Sequence, residues 1–401
     1  MKKTLFLLVS FFVLVACTYS KSTSNEQTTT QNLSATSIKM GAEVIEGYFP
    51  LLEGKRVAVL TNQTGMVGDE HLVDLLKSKD INLVGIFSPE HGFRGTADAG
   101  EHVANSVDEK TGISIWSLYD GKGGKPSAET MQKFDLLVFD LQDVGLRFYT
   151  YYATMARMMD ACAEHNKEMI VLDRPNPNGF YVDGPILDMK HKSGVGWLPI
   201  PVVHGMTLGE LALMINGEKW LPNEGICNLT VVPCDNYTRN MRYDLPISPS
   251  PNLPNIHSIY LYPSTCLFEG TVVSLGRGTS FPFEAYGHPN YTGSDFSFTP
   301  RSVPGAKNPP LLNQKCYGVD LRNVSDEHIW KNGFDLSYVI DAYNNLKMGN
   351  KFFSSFFEKL VGVDYIRTMI MDGKSNEEIR AMWQDDVVKF EKQREPYLLY
   401  E

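Results

Sequence analysis

Apolar and polar positions alternate in blocks through the first half of the chain, and the blocks read as strands and helices in turn. Residues 56–62, 81–87 and 168–172 are apolar runs of strand length. Residues 135–141, with Leu-Leu-Val-Phe-Asp-Leu at their heart, form the strongest such run. Residues 113–118 and 200–203 are weaker strand candidates, and Cys227 and Cys234 fall in one more, seven residues apart and so on opposite faces. Between the runs, helical spacing predicts helices over 70–79, 128–133, 149–165 and 208–215, the last with Thr207 as its N-cap. Strands that are apolar nearly end to end are buried on both faces, so the pattern predicts a parallel sheet with helices on either side. The fold class that follows is α/β, with a Rossmann-like, doubly wound N-terminal domain.

The pattern changes after about residue 245. Ser248-Pro249-Ser250-Pro251-Asn252-Leu253-Pro254 is a proline-punctuated connection, and the alternation stops beyond it. Short strand-like runs such as 275–282 follow, then helices over 336–346 and 376–394. The second of these helices places Ile379, Met382, Trp383, Val387 and Phe390 on one face. This reads as a smaller α+β domain. The expected organisation is a Rossmann-like domain over 38–247 and a C-terminal auxiliary domain over 248–401 that completes a cleft.

The N-terminus follows different rules. Lys2 and Lys3 precede an apolar stretch from Leu5 to Val15, which is too short for a comfortable membrane span. It ends in Leu14-Val15-Ala16-Cys17, the pattern of a lipoprotein signal cleaved before Cys17, which is then acylated. Residues 1–16 are therefore expected to be a signal peptide. Residues 17–37, rich in Ser, Thr, Gln and Asn, are expected to form a flexible tether. The implied location is outside the cytoplasm, in the bacterial cell envelope, lipid-anchored and facing the periplasm.

Composition narrows the partners. The chain has 401 residues, is 43% hydrophobic and carries a net charge of -10 with no basic run, which argues against nucleic acid. The first strand runs into Thr61-Asn62-Gln63-Thr64-Gly65 and not into a G-x-G-x-x-G turn, and no Walker lysine motif occurs, so neither a nucleotide nor another cofactor is expected. G-x-S-x-G and H-E-x-x-H are absent as well. Beyond Cys17 there are five cysteines without C-x-x-C spacing, which reads as buried small hydrophobes and no metal site.

Candidate chemistry gathers at the predicted strand ends. After residue 87 come Ser88-Pro89-Glu90-His91-Gly92-Phe93-Arg94-Gly95, an acid, an imidazole and a guanidinium within five residues. Asp140, Gln142, Asp143 and Arg147 follow the strongest strand, with Phe148, Tyr149, Tyr151 and Tyr152 beside them. Asp173, Arg174 and Asn176 follow the next strand, His204 precedes the helix over 208–215, and Asn62 ends the first strand. In open α/β sheets, ligands bind beyond the carboxyl ends of the strands. Aromatic rings beside carboxylates suit a sugar.

These segments resemble the NamZ-type exo-β-N-acetylmuramidases, here as a bacterial lipoprotein member. The resemblance rests on Ser88 to Gly95, Asp140-Leu141-Gln142-Asp143-Val144-Gly145, Arg147-Phe148-Tyr149-Thr150-Tyr151 and Leu172-Asp173-Arg174-Pro175-Asn176-Pro177. Ser250-Pro251-Asn252-Leu253-Pro254, Leu267-Phe268-Glu269-Gly270-Thr271 and Gly276-Arg277-Gly278-Thr279 extend it. It covers nearly everything from about residue 40 to the C-terminus. It implies a Rossmann-like domain, an auxiliary domain, an active site between them, and release of N-acetylmuramic acid from non-reducing ends of peptidoglycan fragments. Glu90 matches the position taken as catalytic.

Glycoside cleavage commonly uses one protonated carboxyl group and a second group across the sugar. Glu90 is the expected acid, with Pro89 and Phe93 as its apolar surround. Glu269 is the expected second carboxylate, with Asp143 in reserve, and His91 orients Glu90 or touches the sugar. Arg94, Arg147 and Arg277 are candidates for the lactyl carboxylate of muramic acid, Arg277 foremost because glycines flank it. Asn62, Asp140, Gln142, Tyr149, Tyr151, Asp173, Arg174, Asn176, His204, Asn252 and Thr279 complete the expected binding set. Two other readings are a lipid-anchored peptidoglycan-binding protein without turnover, and a metal hydrolase using His91, Asp98, Glu101 and His102, whose spacing matches no ligand pattern.

Overall fold

Along each central strand, alternate residues enter two different apolar cores. Val57, Val59, Ile86, Leu136, Val138 and Ile170 pack on one side of the sheet. Ala58, Leu60, Phe87, Leu137, Phe139 and Val171 pack on the other. Side chains on a strand point to opposite faces in turn, so both faces of this sheet are covered. The helix Leu72–Ser78 contributes to the first side, and the helices Tyr151–Glu164 and Leu208–Gly217 to the second. These features belong to a computed structural model, which describes residues 37–89, 93, 106–118 and 124–401. Cys17 and most of the tether, Glu90, His91, Arg94, Asp98, Glu101 and His102 lie outside the described residues.

The sheet has seven strands in the order Ser106–Val107, Ser114–Ser117, Leu83–Ser88, Val57–Thr61, Leu136–Asp140, Glu168–Leu172, Asn228–Val232. Ser106–Val107 is antiparallel at one edge, and the other six are parallel. Numbered along the chain, the parallel strands lie in the order 3-2-1-4-5-6, the Rossmann arrangement, with its switch point between Val57–Thr61 and Leu136–Asp140. A three-stranded antiparallel sheet, Ala285–His288, Cys316–Asp320 and Ser297–Phe298, lies in the second half among helices. Residues 38–401 form one compact unit, and the larger core runs through both halves, from Phe139 and Tyr152 to Leu261, Phe334 and Trp383.

Three expectations are corrected. Residues 200–203 form no strand: Val203 makes single bridges to Leu146 and Asp183, and the run is apolar because loops bury it. The sixth parallel strand is Asn228–Val232, an edge strand with exposed Asn228 and Thr230, flanked by Cys227 and Cys234. Residues 376–394 are two helices, Asn376–Arg380 and Gln384–Arg394, with Met382 exposed at the break. The break lets Trp383 Nε1 donate to the buried Asp183 carboxylate at 2.9 Å. The run over 275–282 is a turn and not a strand, because Gly276 and Gly278 both take positive φ. The helix over 208–215 is capped as expected, Thr207 and Glu210 forming a reciprocal capping box. All five cysteines beyond Cys17 are buried and unpaired.

Arg147 joins the halves. Its guanidinium is wholly buried and donates to the carbonyls of Pro185 (2.6 Å) and Ile200 (2.9 Å) through Nη1, and of Leu360 (3.0 Å) and Val361 (2.8 Å) through Nη2. It is therefore not a carboxylate receptor, which corrects its place among the binding candidates. Replacing it would strand several buried carbonyls at about 1–3 kcal/mol each. Arg147→Met is accordingly expected to lower the unfolding free energy by at least about 3 kcal/mol in urea titrations followed by circular dichroism. An unchanged midpoint would show that the carbonyls find other donors.

Candidate active site

The loops that leave the switch point are stitched together by short polar side chains. Asn62 follows the first strand, and its Oδ1 accepts the Thr64 amide (2.9 Å) and hydroxyl (2.6 Å). Thr64 Oγ1 in turn accepts the Gln142 amide at 3.1 Å, tying the first strand's loop to that of the fourth. Asn62 Nδ2 donates to the Tyr151 hydroxyl at 2.8 Å, so the first strand's end fixes the first residue of the Tyr151–Glu164 helix.

Tyr151 is one wall of a pocket of about 170 Å³ between the two halves of the sequence. Phe148, Tyr149 and Thr150 line it from the first half, and Ser250, Asn252, Leu253, Tyr262, Glu269, Arg277 and Phe283 from the second. The rings meet edge to face: Tyr149 and Tyr151 centroids are 4.9 Å apart, Phe148 and Tyr262 5.3 Å, Tyr262 and Phe283 4.7 Å. The Tyr149 hydroxyl donates to the Pro249 carbonyl (2.9 Å) and Asn252 Nδ2 to the Gly305 carbonyl (2.8 Å), so both halves are held to the rim. Burial pushes the Tyr149 and Tyr262 phenols well above their ordinary range, which keeps both rings neutral.

One ion pair lies in this aromatic setting. Arg277 donates to Glu269 Oε1 from Nε at 2.8 Å and from Nη2 at 2.5 Å. Glu269 is carried by the 3₁₀ turn Cys266–Gly270, which continues the helix Ile256–Thr265. Arg277 stands between Gly276 and Gly278, at φ +83° and +80°, and a Cβ on Gly278 would come within 2.4 Å of the Arg301 carbonyl. Thr279 closes this turn from within, its hydroxyl donating to the Gly276 carbonyl at 2.6 Å. Burial works against the Arg277 charge, but Glu269 outweighs it and holds the guanidinium above its ordinary pKa. Glu269 is therefore not an unattached carboxylate facing an open cleft.

The expected residues divide on this geometry. Tyr149, Tyr151, Asn252, Glu269 and Arg277 meet at the pocket. Asn62 stands behind Tyr151, and Thr279 beneath Arg277. Asp140, Gln142, Asp173, Arg174, Asn176 and His204 are buried and face the protein's own groups, a correction to their expected contact with substrate. Asp140 and Arg174 form a two-bond fork (2.5 and 2.9 Å). Gln142 Nε2 donates to the carbonyls of Asp143 and Pro175, both at 2.8 Å. Asp173 accepts from Thr207, Gly209 and Tyr400, and burial lifts its pKa to about 6. Asn176 Nδ2 donates to the Met206 carbonyl. Burial, helped by Arg394, takes His204 down to about 3. The sequence reading missed Tyr262 and Phe283. Tyr262 looks like ordinary helix core, whereas Phe283 has a signal in the structure alone: φ +66°, a strained value for a bulky residue at a pocket wall.

Residues 57–257 match the N-terminal family model of exo-β-N-acetylmuramidase NamZ, and residues 260–400 match its C-terminal counterpart. The chain belongs to the NamZ family. Peptidoglycan β-N-acetylmuramidase NamZ of Bacillus subtilis is 37% identical over 420 residues, spanning 100% of both chains. Two crystal structures of DUF1343 family proteins from Bacteroides fragilis are also similar. One is 62% identical with a TM-score of 0.86, the other 30% identical with a TM-score of 0.79, and each match covers 91% of this chain and 99% of the other. The NamZ family is one of enzymes, which sets aside the reading as a binding protein without turnover.

Asp143 uses one oxygen within the described residues. Its Oδ1 accepts the Gly145 amide at 2.7 Å, whereas Oδ2 is buried without a partner among them. Burial lifts its pKa to about 7, against the backbone N–H groups of Gly145 and Val144, which pull it down. The unfolded carboxyl ionises near its ordinary value of about 4, so between about pH 4 and 7 the folded protein holds a proton that the unfolded chain has lost. Stability from this group is full at low pH and is lost as pH rises to about 7. Asp143→Asn keeps the Oδ1 acceptor and cannot ionise. Its melting temperature relative to the wild type is expected to be clearly more favourable at pH 8 than at pH 4.5; the same difference at both would contradict the assignment.

Proposed function

We propose that this chain removes N-acetylmuramic acid from the non-reducing ends of peptidoglycan-derived muramyl saccharides in cell-wall turnover. The observation that carries the reading is the pocket between the halves of a NamZ-family chain, where one arginine–carboxylate pair lies among aromatic rings. Muramic acid differs from glucosamine by a lactyl carboxylate, and Arg277 is the cation among the described residues lining this pocket. Tyr149, Tyr151, Tyr262 and Phe283 give the sugar apolar faces, and Asn252 offers an amide at the rim.

Glu90 is the general acid of this proposal. The strand Leu83–Ser88 ends at buried Pro89, one residue before it. Phe93, three residues after it, is buried with its ring perpendicular to His71 at 5.1 Å. Apolar neighbours raise a carboxyl pKa, the direction a proton donor needs. Glu269 is the second carboxylate, and His91 and Arg94 are its companions on the Glu90 segment. Glu90→Gln is expected to fold normally and to lose hydrolysis of a chromogenic muramide by at least about a hundredfold, the lower range of general-acid effects. Rates near wild type would remove Glu90 from the mechanism.

Placement in the envelope belongs to the same proposal. Among the described residues no helix is long and apolar enough to cross a membrane. Attachment would rest on acylation of Cys17, with residues 17–37 as the tether. Cys17→Ala is expected to move the protein from the membrane fraction to the soluble fraction in a bacterial host with muramidase activity intact. Retention in the membrane fraction would mean that something other than an acyl chain holds it.

A further inference from the structure

The Glu269–Arg277 pair has an arrangement that a purely structural ion pair does not need. Glu269 engages Arg277 through one oxygen, and that oxygen takes both N–H groups. Among the described residues neither its Oε2 nor the Arg277 Nη1 makes a hydrogen bond, and neither is among the buried polar atoms without partners. Both residues line the same pocket, whose other described walls are aromatic, aliphatic, hydroxyl or amide groups. Each half of the pair thus keeps one polar atom for whatever enters.

A muramyl sugar brings a carboxylate into a pocket whose one cation among the described lining residues already has a carboxylate partner. A guanidinium fork and a carboxylate match best with two parallel bonds, and Glu269 makes its two bonds through a single oxygen. Two carboxylates beside one guanidinium also repel each other. We propose that the lactyl carboxylate of the substrate takes the place of Glu269 on Arg277, and that this exchange releases the Glu269 carboxylate to the reacting side of the sugar. The inference rests on the muramidase reading. It adds that recognition and activation are one event: a sugar without the lactyl group binds among the same rings but leaves Glu269 tied to Arg277. Discrimination against N-acetylglucosamine then appears in kcat as well as in KM.

The positions of the two residues favour exchange over a fixed scaffold. Glu269 is on a short 3₁₀ turn, and Arg277 is on a turn between two glycines, so neither belongs to a strand or a long helix. The Arg277 guanidinium carbon is 5.0 Å from the centre of the Phe283 ring, a contact that holds the arginine when its carboxylate partner changes.

Three measurements on the full-length protein decide it. The first is binding of free N-acetylmuramic acid by calorimetry. Glu269→Gln removes the competing anion, and the variant is expected to bind it about tenfold more tightly than the wild type, one charge-assisted bond's worth of competition. Its kcat on a chromogenic muramide is expected to fall. Weaker binding by this variant would mean that Glu269 only holds Arg277 in position, and would overturn the exchange. The second is the steady-state kinetics of Arg277→Met on chromogenic muramide and N-acetylglucosaminide. KM for the muramide is expected to rise towards that for the glucosaminide, and kcat on the glucosaminide to rise above wild type because Glu269 is released. A glucosaminide kcat at or below wild type in a variant with wild-type melting temperature would contradict the proposal, and this arm decides should Glu269→Gln fail to fold. The third is wild-type turnover of the muramide, which keeps the two readings apart. If the wild type does not hydrolyse it, the muramidase reading fails; if it does and the variants miss their expected shifts, the exchange alone fails.

Discussion

A buried arginine bound to four backbone carbonyls holds this molecule's two halves in one geometry. Arg147 has no carboxylate partner among the described residues and reaches Pro185 and Ile200 on one side and Leu360 and Val361 on the other. A charge taken out of water is costly, so the four carbonyls that take its Nη1 and Nη2 hold the guanidinium in place, while Nε is buried without a partner among the described residues. The three residues after Arg147 line the pocket, and the next begins the helix Tyr151–Glu164 and lines it too. The joint between the halves and the first wall of the pocket are therefore neighbours in sequence. Because one core continues through both halves, the pocket is a gap in a packed body.

The Rossmann order places this pocket near the switch point, where neighbouring loops diverge and leave room. In this chain the loop there is not a glycine-rich phosphate turn. The turn after the first strand is Asn62-Gln63-Thr64-Gly65, and its side chains bind Tyr151 and the Gln142 amide. Aromatic rings occupy the space instead, and the second half supplies the charged pair. The architecture common in nucleotide-binding proteins thus carries a site suited to a sugar acid, which agrees with membership of the NamZ family.

Central strands were legible in the sequence because burial on both faces leaves a continuous apolar run, as in Val57–Thr61 and Leu136–Asp140. Asn228–Val232 was read as the strand holding Cys227 and Cys234, which instead flank it, although its edge position exposes Asn228 and Thr230; 200–203 misled because a buried loop can be as apolar as a strand. Polar residues at strand ends were legible as a set, but the sequence does not say which way each one faces. Asp140 with Arg174, and Asp173 with Tyr400, close on partners from distant segments. Arg147 looked like a ligand-binding arginine for the same reason: its four acceptors lie far along the chain and are backbone atoms, which no residue pattern reveals. Glu269 and Arg277 were both identified. Their pairing depends on a turn between positive-φ glycines and emerges only from the folded geometry.

The central claim is that Arg277 reads the sugar's carboxylate at the joint between the halves. A crystal structure of the enzyme with N-acetylmuramic acid bound tests it most directly. The account predicts the lactyl carboxylate in hydrogen-bond contact with the Arg277 guanidinium, the sugar ring among Tyr149, Tyr151, Tyr262 and Phe283, and Glu269 Oε1 no longer on Arg277. A sugar bound elsewhere, or bound here with its lactyl group turned away from an intact Glu269–Arg277 pair, would contradict it.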